Sequence, residues 1–373
     1  MLAIDFGARS IKAVKLSRGG NGYRLDNFGM VLTPPDSISH GEIKDADAVS
    51  QALDKMLRKK RFHEKNGIIA ITGQKVIVRE ITTPLMNEKE LAEGIQWEAP
   101  KYVPYDLKES LLDATKIEEL EEKEGNKMMK VLLVAAPKDL VNQQIEVLKK
   151  MRIQPRVVDI VSNAQIRAFE NYLTPVSSNE EEGNQMDVLL SIGASTTEIT
   201  FIEGDRLKFT RTILKGGNDI TRILEKKYSI AFNEAEILKR RIGLPLPGAE
   251  KETEDSKEEQ PEQESKEESI LDQKEISELI LTGVYDIFNE IRKSLNYYKT
   301  QYQKVTYKRI ILSGGMAAMF NIGQVLKQQF AITVVMANPL KNITVNESDV
   351  NIENLDKYKF CLSTAIGLAK RER

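Results

Sequence analysis

The sequence predicts an α/β protein of two lobes, and three observations support this prediction. The chain has 373 residues, which exceeds the size at which a single hydrophobic core usually keeps growing. A strand-turn-strand pattern, LAIDFGARSIKAVKL from Leu2 to Leu16, returns as DVLLSIGASTTEITFI from Asp187 to Ile202. A third turn, Gly314 and Gly315, follows the apolar strand pattern RIIL. Two related turns in two lobes can face each other across a cleft.

Composition and charge argue against several classes of protein. Lys and Arg number 54 against 56 Asp and Glu, so the net charge of −2 gives no overall attraction to nucleic acid or to an anionic membrane. The single cysteine, Cys361, excludes an intrachain disulfide and is typical of a reducing compartment. Two histidines, His40 and His63, are too few for a histidine-based metal site. With neither a signal-peptide pattern nor an apolar run that could cross a bilayer, we expect a soluble cytoplasmic protein.

The first lobe is predicted to consist of residues 1–80 and 158–175. After the opening strand-turn-strand, RGGNGYRLDNFGMVLT supplies a turn and another strand. Apolar residues at helical spacing between Asp45 and Arg61 predict a helix, and GIIAIT predicts a buried strand. Residues 81–157 are predicted to form an inserted subdomain. A helix there begins after Asn87 and ends at Pro100, and the strands LLDATKIEEL and MKVLLVAAP precede another helix.

The second lobe is predicted to span residues 186–373. After the repeated strand-turn-strand, GGNDIT begins the first of two helices. Residues 249–269 are acidic with almost nothing to bury, and they predict a disordered insertion. A long amphipathic helix then precedes the strand and glycine turn of RIILSGGMAAM. A strand at Ile332 to Val335 and the helix of CLSTAIGLAKRER complete the lobe.

The first turn contains the residue types of a phosphate site. Gly7 lets backbone N–H groups approach an anion, and the hydroxyl of Ser10 adds a donor. Lys12 on the returning strand can bring a positive charge to phosphates. Asp5 would repel a phosphate, so we expect it to hold a hydrated Mg²⁺ through water. The patterns GxxxxGK[ST] and GxGxxG are both absent, which argues against the common nucleotide folds. Taken alone, a single turn of this kind is more often an ordinary hairpin at the edge of a lobe than a phosphate site.

The three turns, in this order, resemble those of the actin-like ATPase superfamily, which includes actin, the heat-shock ATPases and sugar kinases. The resemblance implies a duplicated, ribonuclease H-like fold of two lobes with ATP and Mg²⁺ in the cleft. VVDIVSNAQIRAF matches the first helix that connects the lobes, and YDIFNEIRKSLNYY matches the second. The cofactor-binding residues that the resemblance implies are Asp5, Gly7, Ala8, Arg9, Ser10, Lys12, Gly193, Ala194, Ser195, Thr196, Gly216, Gly217, Glu236, Lys239, Gly314, Gly315 and Met316.

Within the superfamily the chain resembles the PilM family of type IV pilus assembly proteins, which are relatives of the division protein FtsA. The matching stretches include AIDFGARSIKAVKL, IQWEAPKYVPYDL, DIVSNAQIRA, IGASTTEIT, EAEILKR and STAIGLAKRER. Residues 81–157 take the place of the extra subdomain that PilM and FtsA carry. Glu236 and Lys239 lie one turn apart on one face of a helix, and the resemblance implies that they hold the ribose, with Gly216 and Gly217 nearby.

The resemblance also implies a function. PilM-like proteins bind ATP and the N-terminal peptide of a PilN-like inner-membrane protein, and so link the membrane platform to the pilus motor. Further pilus proteins and other copies of the chain are possible partners, whereas nucleic acid and direct membrane insertion are not expected. We expect a cytoplasmic location at the inner face of the plasma membrane through these partners. Core or interdomain packing is the expected role of Trp97, Tyr102 and Tyr105, with peptide anchoring as the alternative.

Two other functions stay open at this point. A small-molecule kinase can use the same fold, and it needs a carboxylate that deprotonates its substrate, for which Asp159 is the candidate. An FtsA-like filament protein is the other, although no amphipathic membrane helix follows the last helical pattern. The second turn has Ser191 where the family usually has Asp. The catalytic candidates Asp5, Ser191 and Asp159 therefore predict nucleotide binding with weak or absent hydrolysis.

Overall fold

The computed structural model describes residues 1–20, 22–123, 126–173, 184–245, 264–302, 305–345, 355 and 358–371. The strands are β1 (Leu2–Phe6), β2 (Ser10–Gly19), β3 (Gly22–Leu32), β4 (Ile38–Ser39), β5 (Glu42–Ile43), β6 (Asn66–Ile71), β7 (Ile77–Pro84), β8 (Ser110–Lys123), β9 (Asn126–Pro137), β10 (Gln154–Ile160), β11 (Asn184–Ile192), β12 (Thr197–Glu203), β13 (Arg206–Ile213), β14 (Val305–Ser313), β15 (Thr333–Met336) and β16 (Ile343–Val345). The helices are α1 (Ala46–Lys59), α2 (Glu88–Glu98), α3 (Lys138–Lys150), α4 (Val161–Ala168), α5 (Gly217–Tyr228), α6 (Phe232–Ile242), α7 (Glu264–Gln301), α8 (Ile322–Phe330) and α9 (Ser363–Ala369).

Most of the acidic segment predicted at 249–269 lies outside the described residues, and its last part, from Glu264, belongs to α7. None of the helices in the described ranges has the length and apolar composition that a bilayer crossing requires.

The first lobe is a six-stranded sheet in the order β10-β6-β1-β2-β3-β16. β1 pairs antiparallel with β2 and parallel with β6. Because successive side chains of a strand point to opposite faces, Leu2 and Ile4 pack against α1 and α3, whereas Ala3 packs against α4 and α9. The lobe is therefore a sheet covered on both faces, with the ends of β1 and β6 directed towards the cleft.

The second lobe shares an eight-stranded sheet with the inserted subdomain, in the order β15-β14-β11-β12-β13-β7-β9-β8. Helices α5 to α8 pack around β11, β12 and β14 in one core, in which Phe201, Phe288 and Tyr298 are fully buried. The sheet passes into the subdomain through a single residue pair, Phe209 of β13 and Arg79 of β7. Two ion pairs, Lys208 to Glu80 at 2.9 Å and Arg206 to Glu118, reinforce this seam.

The repeated pattern of the sequence is a repeat in the structure. In the first lobe Asp5 of β1 pairs with Lys12 of β2, and in the second lobe Ser191 of β11 pairs with Glu198 of β12. Both pairs are separated by seven positions, and both lie at the strand ends that lead into the turn. Directly paired residues project from the same face of a sheet, so each lobe presents two side chains of this kind beside its turn.

The boundaries of the inserted subdomain differ from the predicted 81–157. β7, α2, β8 and β9 share a core of their own around Ile81, Leu91 and Met129. Val147 and Leu148 of α3, in contrast, pack with Leu2 in the first-lobe core, and β10 pairs with β6. The inserted unit therefore ends at β9, and the chain returns to the first lobe at α3.

The end of the chain also departs from the predicted second lobe of 186–373. β16 pairs with β3, and α9 packs against α4 in the first-lobe core. The segment YDIFNEIRKSLNYY, expected to connect the lobes, instead lies within α7, where Ile287, Phe288 and Ile291 are buried in the second-lobe core. The helix that returns to the first lobe is α9.

Polar capping residues determine where helices α1 and α2 begin. Asp45 precedes α1 and its side chain accepts from the backbone N–H of Ala48 at 2.9 Å. Asn87 and Glu90 form a capping box at the start of α2, a device that satisfies N–H groups without intrahelical partners. The helix predicted after Asn87 is confirmed, and Pro100 lies in the short 3₁₀ turn that ends it.

Helices α4 and α9 touch at Gly367. A Cβ at this position would lie 1.6 Å from the backbone oxygen of Ala164. We expect Gly367→Ala to force the helices apart and to lower the free energy of unfolding by about 1–3 kcal/mol, the usual cost of overpacking. Gly19→Ala is the matched control, because a Cβ there would meet nothing within 4 Å. Thermal unfolding checks this prediction, and equal midpoints for the two variants would contradict it.

Candidate nucleotide site

A cavity of about 580 Å³ lies between the lobes. It is lined by both repeated turns, by the glycine turn after β14 and by one face of α6. The structure brings together here almost all of the residues predicted to bind the cofactor. Those that line the cavity are Asp5, Gly7, Ala8, Arg9, Ser10, Lys12, Ser191, Gly193, Ala194, Ser195, Thr196, Gly217, Glu236, Lys239, Gly314, Gly315 and Met316.

The first turn packs a charged pair against a glycine. Nζ of Lys12 lies 2.9 Å from Oδ2 of Asp5, and a Cβ on Gly7 would lie 2.7 Å from the same Nζ. Gly7 is therefore required for the close approach of the lysine to the turn. Burial alone would lower the pKa of Lys12, but the charge of Asp5, the charge of Cys361 and the hydrogen bond to Asp5 together raise that pKa. The lysine stays charged inside the cavity, and an anion that binds it competes with Asp5.

The second turn is fixed to the start of α5. The backbone N–H groups of Gly217 and Asn218 donate to the carbonyls of Gly193 and Ala194 at 2.9 and 2.7 Å. Gly216 does not line the cavity but makes this contact possible, since a Cβ there would lie 2.6 Å from the oxygen of Ala194. The N-terminus of a 12-residue helix therefore lies at the cavity wall, and helix N-termini favour negative charge.

Ser191 is held by a residue that the sequence did not reveal. Nε2 of Gln165, on α4, lies 3.0 Å from Oγ of Ser191 and 3.3 Å from Oγ1 of Thr364. Oε1 of Gln165 has no hydrogen-bond partner within the described residues. Gln165 is 3% exposed and lines the cavity, so a buried polar atom is left for a ligand or a water.

Glu198 is the carboxylate of the second turn. It is 7% exposed, and its Oε2 accepts a hydrogen bond from Oγ1 of Thr72 in the first lobe at 2.7 Å. Burial raises the pKa of Glu198 to about 7. Oε1 has no partner in the part of the chain that the structure describes. The repeat could have identified this residue, because Lys12 and Glu198 are separated by the same 186 positions (198 − 12) as Asp5 and Ser191 (191 − 5).

Glu236 and Lys239 form a buried pair rather than a solvated one. Their charged atoms are 2.6 Å apart, and Lys239 also donates to the carbonyl of Gly217 at 2.8 Å. Burial would raise the pKa of Glu236, but the charge of Lys239 and hydrogen bonds to Lys239, Thr221 and Arg240 lower it to about 2. Buried charges persist only when they are paired and hydrogen-bonded, and this pair satisfies both conditions beside the start of α5.

The third turn offers bare backbone to the cavity. Gly314 has a φ of +87°, and a Cβ there would lie 2.4 Å from the oxygen of Ile192. The neighbouring Gly315 has no atom within 4 Å of an ideal Cβ position. Sulfur of Met316 would lie 2.8 Å from a Cβ on Gly217. The turn therefore leaves a flat backbone surface next to the start of α5, which suits a planar ring.

Asp159 is the one predicted catalytic residue that does not line the cavity. It lies in strand β10 rather than on the connecting helix, which begins at Val161. Its carboxylate pairs with Arg167 and, at 2.7 Å, with Arg371. Two cations therefore neutralise it away from the site.

The aromatic residues proposed as peptide anchors are separated by the structure. Trp97 on α2 is 83% exposed. Tyr102 and Tyr105 pack against the subdomain core, and the hydroxyl of Tyr105 donates to the carbonyl of Lys75 at 2.7 Å. Burial raises the pKa of Tyr105 to about 12. Of the three, Trp97 alone is free to contact a partner.

The site fits a hydrated cation better than a directly bound one. Within the described residues no three His, Cys, Asp or Glu side chains form a metal-binding group. Asp5 provides one carboxylate, while Glu198 of the second lobe and Gln165 of α4 each provide an oxygen without a hydrogen-bond partner in the described ranges. Mg²⁺ usually keeps several waters and takes one or two carboxylates, which is compatible with this donor set.

Comparison with known proteins places these features in a family context. The family model of the type IV pilus assembly protein PilM matches residues 3–252, more than half of the chain. The model of the cell division protein FtsA matches residues 188–365. The cell division protein FtsA of Enterococcus hirae is 24% identical over 247 residues, which cover 63% of this chain and 54% of that protein. The chain therefore spans about half the length of this curated relative.

Solved structures share the fold. A chain of a PilM–PilN type IV pilus biogenesis complex superposes with a TM-score of 0.80, at 24% identity, over 99% of this chain and 97% of that one. The ethanolamine utilization protein EutJ of Carboxydothermus hydrogenoformans superposes with a TM-score of 0.52, at 12% identity, over 99% and 88% of the two chains. The predicted two-lobed actin-like fold is confirmed.

The raised pKa of Glu198 predicts a pH-dependent stability. Between its ordinary pKa of 4.5 and about 7, the folded protein holds a proton that the unfolded chain has lost. Folding is therefore less favourable as the pH rises through this window, by up to about 3 kcal/mol.

We expect Glu198→Gln to remove this pH dependence, because the amide is neutral at every pH and can keep the bond from Thr72. Urea unfolding at pH 5 and pH 8 checks the prediction against Glu93→Gln, a control at an exposed carboxylate of α2. If wild type and Glu198→Gln lose stability equally between the two values, the predicted pKa is wrong.

Proposed function

Because this chain belongs to the PilM family of type IV pilus assembly proteins, we propose that it is an ATP-binding, actin-like scaffold of pilus assembly. It binds the N-terminal tail of a PilN-like inner-membrane protein and links the membrane platform to the pilus motor. The observation that carries the nucleotide part is the cavity, where both repeated turns, the glycine turn and the Glu236–Lys239 pair converge. Its location is cytoplasmic, at the inner face of the plasma membrane through its partners.

In this proposal each wall of the cavity binds a different part of the nucleotide. The backbone of the two turns and Lys12 bind the phosphates, and the positive end of the α5 dipole lies beside them. Glu236 and Lys239 hold the ribose hydroxyls, and the bare backbone at Gly314 and Gly315 lies against the base. Asp5 orients the water shell of Mg²⁺, which would supply positive charge at the phosphates.

Hydrolysis is slow or absent in this proposal. Ser191 supplies a hydroxyl that can donate to a water or a phosphate oxygen, but it adds no second charge for the metal. Glu198 can accept a proton from a water, since a general base works best with a pKa near the working pH. At neutral pH a pKa of about 7 leaves it protonated in about half of the molecules, which lowers the rate only about two-fold, so slow hydrolysis rests on the missing carboxylate at Ser191. The protein therefore responds to nucleotide occupancy more than to rapid turnover.

The solved PilM–PilN complex supports the proposed partner. In the inserted subdomain, Trp97 offers a large exposed aromatic surface of the kind that anchors interfaces. The subdomain is attached to the second lobe by the seam between β13 and β7. Nucleotide-dependent movement of the lobes would therefore reach the subdomain and alter its affinity for a partner.

Of the alternatives, the FtsA-like function has the better support. The FtsA family model matches residues 188–365, so self-association into filaments is a second candidate. A small-molecule kinase is less well supported, because Asp159 is neutralised by two arginines and does not line the cavity.

Nucleotide titration tests the proposal directly. We expect ATP and ADP to bind in the presence of Mg²⁺, as measured by calorimetry, with little phosphate release by the wild type.

Ser191→Asp should raise phosphate release by roughly ten-fold or more, because it adds a positioned carboxylate. Ser191→Ala, which removes the hydroxyl without adding charge, should not raise phosphate release. Failure of both nucleotides to bind would refute the nucleotide site. Brisk wild-type turnover that Ser191→Asp leaves unchanged would refute the role of Ser191.

Peptide binding tests the partner. A labelled peptide of the N-terminal segment of the PilN-like protein should bind the full chain in fluorescence anisotropy. Trp97→Ala should weaken this binding by about ten-fold, as expected for an aromatic anchor. Phe320→Ala, a similarly exposed aromatic residue of the second lobe, should leave it unchanged. Equal effects of the two substitutions would contradict a specific role for Trp97.

A further inference from the structure

Arg9 of the first turn reaches across the cavity to the second lobe. Its Nη1 donates to Oδ1 of Asn233 at 3.2 Å, and its guanidinium carbon lies 5.8 Å from the ring centre of Phe232. Phe232 and Asn233 begin α6, the helix that also carries Glu236 and Lys239. One side chain therefore joins the phosphate turn of one lobe to the ribose helix of the other.

The guanidinium is only partly satisfied by these contacts. Nε of Arg9 is buried and has no hydrogen-bond partner among the described residues. The partner at Nη1 is a neutral amide oxygen, whereas a phosphate oxygen carries a negative charge and would add Coulombic attraction to the hydrogen bond. The guanidinium carries five N–H donors in a planar fork that matches the oxygens of a phosphate. A phosphate within reach would therefore be a stronger partner than Asn233.

Arg9 lies where its guanidinium can exchange Asn233 for a phosphate. It lines the cavity between Ala8 and Ser10, in the turn that also carries Lys12. Its positive charge extends as far as Lys239, whose pKa it helps to lower after the larger effect of burial. The side chain therefore lies between the residues assigned to the phosphates and those assigned to the ribose.

We propose that Arg9 is a strap between the lobes that the phosphates of a nucleotide release. Without phosphates, the strap holds the start of α6 to the first turn through Asn233 and Phe232. With phosphates, the guanidinium turns to the anion and α6 loses this contact. This inference rests on the proposed nucleotide site and adds a regulatory step to it, because phosphate binding and the contact between the lobes become mutually exclusive.

The opposite role, a passive brace, predicts a different result. A brace would hold the lobes together with or without phosphates, so removal of either end would weaken nucleotide binding. If Arg9 is a strap, Asn233 and phosphate compete for its guanidinium. Removal of Arg9 then weakens phosphate binding, whereas removal of Asn233 frees Arg9 and strengthens it.

Calorimetric titration of the full chain with ATP, ADP and adenosine, in the presence of Mg²⁺, separates the two roles. We expect Arg9→Ala to weaken ATP binding by about ten-fold and Asn233→Ala to tighten it by about three-fold. Arg9→Lys, which keeps the charge without the fork, should give an intermediate loss. Adenosine should bind all variants equally, since it has no phosphate. Arg58→Ala, at an exposed arginine on α1, controls for the loss of a positive charge and should change nothing.

The failures of the two proposals are distinguishable. If the wild type binds ATP but Arg9→Ala and Asn233→Ala both weaken it, Arg9 is a brace and the strap is refuted while the nucleotide site stands. The same conclusion follows if Arg58→Ala weakens ATP binding as much as Arg9→Ala does. If the wild type binds neither ATP nor ADP, the nucleotide site and the strap fail together. Thermal unfolding of each variant verifies that the comparison is made between folded proteins.

Discussion

The need to pair every buried charge at the boundary between the lobes is the constraint on which the rest of the structure depends. Lys12 is paired with Asp5, Lys239 with Glu236, and the guanidinium of Arg9 with an amide and a ring. A buried charge without a partner would cost several kcal/mol, so Lys12 and Lys239 are paired with carboxylates before any ligand arrives. A nucleotide that binds these two lysines must therefore exchange their partners. Part of its binding energy goes into rearranging contacts within and between the lobes, which suits a protein that reports occupancy to an assembly.

The sequence predicts the local parts of this structure well and the non-local parts poorly. A strand-turn-strand is formed by neighbouring residues, so the two phosphate turns and the glycine turn at Gly314 could be recognised from the chain alone. The boundaries of the lobes depend on pairings such as β16 with β3 and β10 with β6, which no local pattern encodes. The family resemblance places Asp159 in the segment matched to the first connecting helix, whereas its pairing with Ala70 of β6 makes it part of β10. Glu198 was accessible through the repeat, whereas the contact from Arg9 to Asn233 joins residues 224 positions apart and needed the structure.

The inserted subdomain interrupts the sequence of the first lobe, but its strands are part of the second-lobe sheet. Its chain leaves the first lobe after β6 and returns to it at α3, yet its strands extend the second-lobe sheet through Phe209 and Arg79. The ion pairs from Lys208 and Arg206 lie on this seam. Besides this backbone pair and these ion pairs, Leu207 of β13 and Val78 of β7 share a buried apolar cluster with Ile71 of β6. A partner that binds the subdomain and a nucleotide that moves the lobes therefore act on the same small set of contacts.

The differences between the two duplicated turns also affect the orientation in which a ligand binds. Had the two lobes remained identical, the cleft would have two-fold symmetry, and a ligand could enter with either end towards either lobe. The paired positions instead diverged in sign, with Lys12 beside the first turn and Glu198 beside the second. Lys12 can donate a hydrogen bond to an anionic tail, whereas Glu198 offers only a carboxyl group, so the two walls differ in the ligand groups that they accept. The divergence of one residue pair after duplication is enough to make one binding orientation the stable one.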